Sequence, residues 1–205
     1  ALVTMGAGGS PKAAPVILDL SSLWAGPLCG AILAEMGAQV MRVEDPARAD
    51  PTRVTTPHHF ARLSRGKAER RFSFGTEAGR ARLFALASVA DVLITNARPR
   101  AFESLGLAPA RLFAANPALI WVAITGHGWT GKEAGRVAFG DDAAAAGGLV
   151  DWVEGGPHFM GDALADPLTG MAAALATIKA MQAGGGVLVD AAMAQVAAGA
   201  VDMVA

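Results

Sequence analysis

Short unbroken apolar runs, each followed by a segment with helical spacing, constrain this chain more than any other feature. Val16-Ile-Leu-Asp-Leu20, 91–96 and 119–124 are dominated by Val, Ile and Leu with little polar alternation, and Gln39–Glu44 reads as a further strand. Strands written this way are covered on both faces, as in a parallel sheet held between helical layers. Between the runs, Pro27 opens a helix with Leu28, Ile32, Leu33 and Met36 inward and Gly37 as its stop. Thr76 caps a second helix with Leu83 and Leu86 inward, and two short helical pieces surround Phe102 and Leu112. The alternation predicts an α/β class with a largely parallel sheet and flanking helices. At 205 residues, 53% of them apolar and 17% charged, the chain is one large domain or part of one, with material for a substantial core.

Residues 1–15, rich in Gly, Ala and Pro, read as a flexible linker or tail, and 16–205 as the α/β segment. Gly6-Ala-Gly-Gly-Ser10 precedes the first strand, so it lacks the placement of a dinucleotide loop. Residues 45–67 read as a long polar loop, and 72–74 as a short strand. In doubly wound sheets ligands gather beyond the carboxyl ends of the strands. The loops at 21–26, 44–45, 96–100 and 126–129 are therefore the expected site.

One further segment carries chemistry. In Gly161-Asp162-Ala163-Leu164-Ala165-Asp166-Pro167-Leu168-Thr169-Gly170-Met171, Asp166-Pro167 reads as an N-cap followed by the first helical residue. Leu168, Met171, Leu175 and Ile178 recur at helical steps as its inward face, and the helix ends near Gly184-Gly185-Gly186. A carboxylate there feels the positive end of the helix dipole and is held ionised. Spacing alone leaves two readings open, a structural cap and a reacting carboxylate, and Asp162 competes for the second role.

Composition narrows the classes of function. Seventeen basic against eighteen acidic residues give a net charge of −1, which argues against a nucleic-acid partner held by bulk charge. The basic cluster Arg62-Leu-Ser-Arg-Gly-Lys-Ala-Glu-Arg-Arg71 fits a solvated loop or a phosphate-facing one. No apolar run approaches the roughly eighteen residues of a membrane span, and no basic-then-apolar leader opens the sequence. The single cysteine, Cys29, reads as a small buried hydrophobe and fits a reducing, cytoplasmic compartment. The four histidines show no ligand spacing, so no metal is expected.

The opening Val16-Ile-Leu-Asp-Leu20, Ser21-Ser22-Leu23-Trp24-Ala25-Gly26-Pro27 and Gly37-Ala-Gln-Val-Met-Arg-Val-Glu44 resembles that of the class III CoA-transferases. Further matching segments follow in the family's order. They are Ala90-Asp-Val-Leu-Ile-Thr-Asn96 with Arg98-Pro99, Leu105-Gly106-Leu107, Asn116-Pro-Ala-Leu-Ile120, Ile124-Thr-Gly-His-Gly128, Asp166-Pro-Leu-Thr-Gly-Met171 and Gly186-Val-Leu-Val-Asp-Ala-Ala-Met193. The resemblance implies a Rossmann-like sheet forming the N-terminal part of the family's large domain, without its small domain, glycine-rich loop and returning C-terminal segment.

The resemblance also implies an activity: transfer of coenzyme A from an acyl-CoA to a carboxylic acid through an aspartyl-CoA thioester on Asp166, with no permanently bound cofactor. Carry-over assigns CoA contacts to Leu23, Trp24, Ala25, Phe72, Asn96, Arg98 and Arg136. Three basic or aromatic positions of the family pattern are here Asp45, Ala97 and Ser104. The racemases of the same family pair their Asp with a histidine, where this chain has Gly140-Asp141-Asp142. Apolar helices at 171–181 and 191–205 without visible partners imply a homodimer or a complementary half-chain. The alternatives are a non-catalytic CoA-binding half that needs a partner and a racemase-like enzyme.

Overall fold

In the computed structural model, which describes residues 1–10 and 12–203, a seven-stranded sheet runs in the order β1-β9-β6-β5-β2-β3-β4. The strands are β1 (Leu2–Thr4), β2 (Val16–Asp19), β3 (Gln39–Glu44), β4 (Ala68–Arg71), β5 (Val92–Thr95), β6 (Ile120–Thr125) and β9 (Val187–Ala192). All neighbouring pairs are parallel except β1 against β9. A separate antiparallel hairpin joins β7 (Val150–Val153) to β8 (Gly156–Phe159). The helices are α1 (Ala25–Glu35), α2 (Thr52–Thr55), α3 (Pro57–Ser64), α4 (Glu77–Val89), α5 (Pro99–Ser104), α6 (Pro109–Ala115), α7 (Gly140–Ala146), α8 (Ala165–Gln182) and α9 (Met193–Asp202).

The α/β expectation holds, and the reason lies in the pleat. Ile17, Val92, Ile94, Val122 and Val189 face one core with α1, α7, α8 and α9. Leu18, Leu93, Trp121, Ala123 and Leu188 face the other, under α4, α5 and α6. Because alternate residues enter two different cores, the strands carry no polar alternation. From β2 the chain winds outward through β3 and β4, then returns to lay β5 on β2's other side. That reversal opens a crevice at the carboxyl ends of β2 and β5.

Several local expectations are corrected. Part of the 1–15 tail is strand, since Leu2, Val3 and Thr4 pair with Val189, Leu188 and Val187. The stretch 45–67 is mostly helical: a 3-10 turn (Pro46–Arg48), α2 and α3, each following an Asp-Pro or Thr-Pro step that presets the first φ. The short strand lies at Ala68–Arg71, ahead of 72–74. In α8, Met171 and Leu175 are half exposed, while Thr169, Gly170, Ala173, Ala174 and Thr177 are buried. Just past α1, Met36 is exposed, and within the helix Ala25, Gly26, Cys29 and Gly30 are buried alongside Leu33. These two helices pack through small residues, which turns the long side chains outward. Pro11, expected in the tail, and Val204 and Ala205, expected in the last helix, lie outside the described residues.

Behind α1 sits a buried ion pair. Lys67 Nζ donates to Asp19 Oδ2 at 2.8 Å and to the Pro27 carbonyl at 2.7 Å, and the two side chains are 1% and 0% exposed. Asp19 also accepts from the Ser21 amide at 3.0 Å and from the Ser21 hydroxyl. Lys67, drawn from the basic cluster, thus ties the strand–α1 junction to the residue before β4. Breaking such a pair from one side leaves an uncompensated buried charge. Lys67→Met is expected to cost about 3–5 kcal/mol, read as a lower urea midpoint at unchanged slope. A loss below about 1 kcal/mol, the range of an exposed pair, would contradict this account.

Candidate active site

The crevice is built by the turn after β2. Asn96, one residue beyond β5, clamps it: Nδ2 donates to Ser22 O at 2.8 Å, and Oδ1 accepts from Ser22 N at 3.2 Å. Leu23 then takes a φ of 69°, a left-handed conformation that costs a non-glycine residue roughly 1–2 kcal/mol. Its amide donates to Asp50 Oδ2 at 3.1 Å. Trp24 occupies the position before α1 without making a side-chain cap, so α1 begins with its first amides free of one.

Asp166 answers that vacancy, and in doing so it corrects the cap reading. It is the second residue of α8, Leu164 stands at the N-cap position, and no side chain caps the helix. The start of α8 is set instead by Ala163, at φ 47°, whose carbonyl accepts from Asp166 N at 2.9 Å. The Asp166 carboxylate projects across to α1 and accepts from Ala25 N at 3.3 Å. Burial pushes its carboxyl above the ordinary range; the Ala25 amide opposes this, while the charges of Asp141 and Asp162 add to it. The expectation of a carboxylate held ionised by the dipole is therefore incomplete, because desolvation outweighs the helix ends.

Three elements must come close for this to happen. A Cβ on Gly170 would lie 2.8 Å from the Ala25 carbonyl and 3.0 Å from Leu28 Cβ, so α8 meets α1 almost backbone to backbone. A Cβ on Gly140, first residue of α7, would lie 2.2 Å from Asp166 Oδ2 and 2.6 Å from the Ala163 carbonyl. Both glycines are there for space.

In front of Asp166 lies a cavity of about 280 Å³. Leu23, Ala25, Asn96, Arg98 and Arg136 line it with Asp166, so six of the eight residues singled out from the sequence converge (Asp166, Leu23, Ala25, Asn96, Arg98 and Arg136). Trp24 and Phe72 do not line it. Trp24 meets His59 edge-on at 5.0 Å, and Phe72 packs against Phe74 at 5.5 Å with the Arg82 guanidinium 4.7 Å above its ring. Asp162 is exposed and outside the lining.

Arg48 lines the same cavity and was not singled out from the sequence. Its signal was Asp45-Pro46, which starts the 3-10 turn and places Arg48 at its end. Asp45 itself accepts from the Ala47 and Phe74 amides, both at 2.9 Å. Asp141 and Asp142 are also committed to backbone, accepting from Ala163 N at 2.8 Å and Phe139 N at 3.2 Å. Cys29 is buried, and burial with the nearby Asp19 charge pushes its thiol up to about 12. That is no nucleophile at neutral pH. Among the described residues no cluster of His, Cys, Asp or Glu could hold a metal, and no helix is long and apolar enough to cross a membrane.

The doubly wound α/β fold thus sets a half-buried carboxylate beside a cavity walled by three arginines, a lining whose charge suits an anionic ligand. The chain belongs to CoA-transferase family III, which it matches over residues 15–205. It is 32% identical over 188 residues to a succinyl-CoA--D-citramalate CoA-transferase from Chloroflexus aurantiacus, covering 85% of this chain and 47% of that one. Over 200 residues it is 32% identical to a succinate--glutarate CoA-transferase from Agrobacterium fabrum, covering 88% of this chain and 50% of that one. A crystal structure of a CAIB/BAIF family protein from Brucella suis superposes with a TM-score of 0.83 at 30% identity, over 95% of this chain and 56% of that one. The chain spans about half the length of these relatives.

The packing at Gly140 makes a direct forecast. Gly140→Ala is expected to cost about 1–3 kcal/mol by overpacking and to displace the Asp166 carboxylate, seen as a shifted Ala25 amide resonance. An unchanged resonance and midpoint would mean that α7 does not bear on Asp166.

Proposed function

We propose that this chain carries the reacting carboxylate of a CoA-transferase. The observation that supports it most is the departure of Asp166 from its capping role. The side chain is turned away from its own helix, held by the Ala25 amide, and opens on a cavity with Arg48, Arg98 and Arg136 on its walls. A carboxylate is a weak nucleophile whose reactivity rises with desolvation and positioning, and both are supplied here.

The reaction balances without any external proton. An Asp166 oxygen attacks the thioester carbonyl of an acyl-CoA, and the C–S bond breaks to give a mixed anhydride and CoA thiolate. The thiolate attacks the aspartyl carbonyl, releasing the donor acid and leaving an aspartyl-CoA thioester. An acceptor carboxylate attacks that thioester, giving a second anhydride and thiolate again. Attack of the thiolate on the acceptor's carbonyl forms the new acyl-CoA and restores Asp166. The Ala25 amide holds the carboxylate between steps and is placed for the oxyanion that develops on it. The arginines suit phosphate oxygens, since guanidinium presents a planar fork to them. CoA contacts fall to the Leu23–Ala25 turn, Asn96, Arg98 and Arg136, with Trp24 and Phe72 further out.

Transfer is favoured over racemisation because Asp141 and Asp142, which stand where the racemases carry a histidine, accept from backbone amides, and a carboxylate is a poorer proton donor than histidine at neutral pH. A partner is part of this reading. The alignments cover half of each relative, and Met171 and Leu175 on α8 stay 50% and 54% exposed. Either a second copy or a complementary chain completes the site, and the purely CoA-binding half is the remaining alternative.

Mass spectrometry after incubation with succinyl-CoA, the donor named for one relative, tests the chemistry. A CoA adduct on a peptide containing Asp166 is expected in the wild type. It should vanish in Asp166→Asn with stability changed by less than about 1 kcal/mol, because Asp166 does not cap α8. Asp162→Asn should keep the adduct. An adduct that survives Asp166→Asn and vanishes in Asp162→Asn would move the chemistry to Asp162. No adduct in any sample, with partner chain supplied, would favour the CoA-binding half.

A further inference from the structure

We propose that Asp50 is a positioning residue for Asp166: it pins the Leu23 amide and thereby holds the strained turn that aims the Ala25 N–H at the Asp166 carboxylate. The proposal rests on reading Asp166 as the reacting group, and its geometry is independent of that chemistry.

Asp50 is 2% exposed, and every polar atom of it is engaged. Its backbone amide donates to Glu44 Oε1 at 2.6 Å. Oδ1 accepts from Thr52 N at 3.0 Å and Thr52 Oγ1 at 2.6 Å, which starts α2. Oδ2 accepts from Arg42 Nη2 at 2.6 Å and from Leu23 N at 3.1 Å. Burial is the largest influence on this carboxyl and would raise it; the Thr52 and Arg42 hydrogen bonds outweigh burial and hold it below its ordinary range. A fixed negative charge therefore meets the one backbone amide in the turn after β2 that sits at a positive φ, 69° at Leu23.

A leucine does not keep that conformation by itself, because its Cβ crowds the following carbonyl. Strain of this kind persists only where surrounding contacts over-determine it. Here the contacts are the Asp50 hydrogen bond on Leu23 and the Asn96 clamp on Ser22. Two residues on from Leu23, Ala25 N reaches Asp166. The packing of α1 on α8 sets where the helix lies, and because α1 has no side-chain cap, the turn held by Asp50 and Asn96 is the covalent lead-in to that amide. Arg42, on β3, is itself held under the Phe60 ring at 4.6 Å. The line of force runs from the sheet through Arg42 and Asp50 to Leu23, Ala25 and Asp166. Asp50 is not among the residues that line the cavity; it touches the wall only through the Leu23 amide, so it acts through the turn.

The readout is the titration of Asp166 itself, followed by carbon-13 carboxyl NMR on the full chain. A hydrogen bond to the charged form lowers a carboxyl's pKa, and losing it raises the midpoint. Other charges facing Asp166 are Asp141 and Asp162, with Arg48, Arg98 and Arg136 on the same cavity; none is altered in the variants. In Asp50→Asn the Asp166 midpoint is expected to rise by about half a pH unit or more. Leu23→Gly relieves the strain while keeping the amide, so alone it should leave the midpoint within about 0.2 units. In the Asp50→Asn background it should return the midpoint toward wild type.

Leu23→Pro deletes the N–H and forbids the positive φ while leaving the Arg42–Asp50 pair, and should match Asp50→Asn. It decides the question if Asp50→Asn does not fold. Leu83→Ala, in the core on the other face of the sheet, is a purely structural control and should not move the midpoint. A folded Asp50→Asn or Leu23→Pro with an unshifted Asp166 midpoint overturns the proposal. A shift equal to that in Leu83→Ala does the same. A shifted midpoint without any CoA adduct in the wild type would uphold the positioning and remove the chemistry.

Discussion

Everything at the cavity depends on how closely α8 approaches α1. Two helices with ordinary leucine faces sit 8–10 Å apart, and at that separation a short aspartate does not span to a backbone amide on the neighbour. Here Gly170 lies against the Ala25 carbonyl, and Ala173, Ala174 and Thr177 continue the seam. The side chains that usually generate helix packing have been removed so that backbone can meet backbone. The apolar area given up at that seam is modest, since alanine and glycine bury little. The larger contribution comes from the two sheet cores, where Trp121, Phe102, Leu93 and Ile94 are all but fully buried.

The ionic layer beneath α1 follows from the same geometry. A helix start without a side-chain cap, set over the ends of β2 and β3, brings Asp19, Arg42, Glu44 and Asp50 into a region that water does not reach. Each must then be paired. Lys67 answers Asp19, Arg42 answers Asp50, and Arg53 answers Glu44, its Nε 3.1 Å from Oε2. Phe60 fills the gap between the two arginines, 4.6 Å from the Arg42 guanidinium carbon and 4.3 Å from that of Arg53. Such pairs contribute little net stability compared with well-packed apolar residues, but they fix direction. Direction is what the turn at Leu23 requires.

The sheet was legible in the sequence because its strands are long enough to display their pattern and because both faces are covered. Gly37, at φ 97°, and Gly184, at φ 94°, ended α1 and α8 as their positions suggested. What stayed illegible has a common cause. Periodicity assigns the large apolar residue to the inside, so Met171, Leu175 and Met36 were read as core, where the true criterion was how closely the backbone could approach. Elements of three or four residues, such as β1 and α2, display no period at all. The hairpin of β7 and β8 went unread, although Gly155 and Gly156, at φ 106° and 130°, mark its turn. The position of Asp166 was visible through the family resemblance. Its orientation was not, because a single left-handed residue, Ala163, starts α8 two residues earlier than Asp-Pro implies. Arg48 and Asp50 lay in the polar stretch 45–67, where only proline steps punctuate the chain.

The strand Leu2–Thr4 has a consequence for how the sheet meets its surroundings. A parallel sheet of this kind has two open margins, each able to recruit a stray strand from another molecule. At one margin β4 reads Ala-Glu-Arg-Arg and is exposed throughout, so charge repels a newcomer. At the other, β9 offers Val187, Leu188 and Val189, a run that no charge protects. Three residues laid antiparallel along it occupy its hydrogen-bonding groups, and the Ala1 carbonyl extends the seal to Asp190 N. The stretch that looked like a tail is in effect a selvedge, a narrow woven border that shifts the open margin from the six residues of β9 to a strand of three, too short to template much pairing.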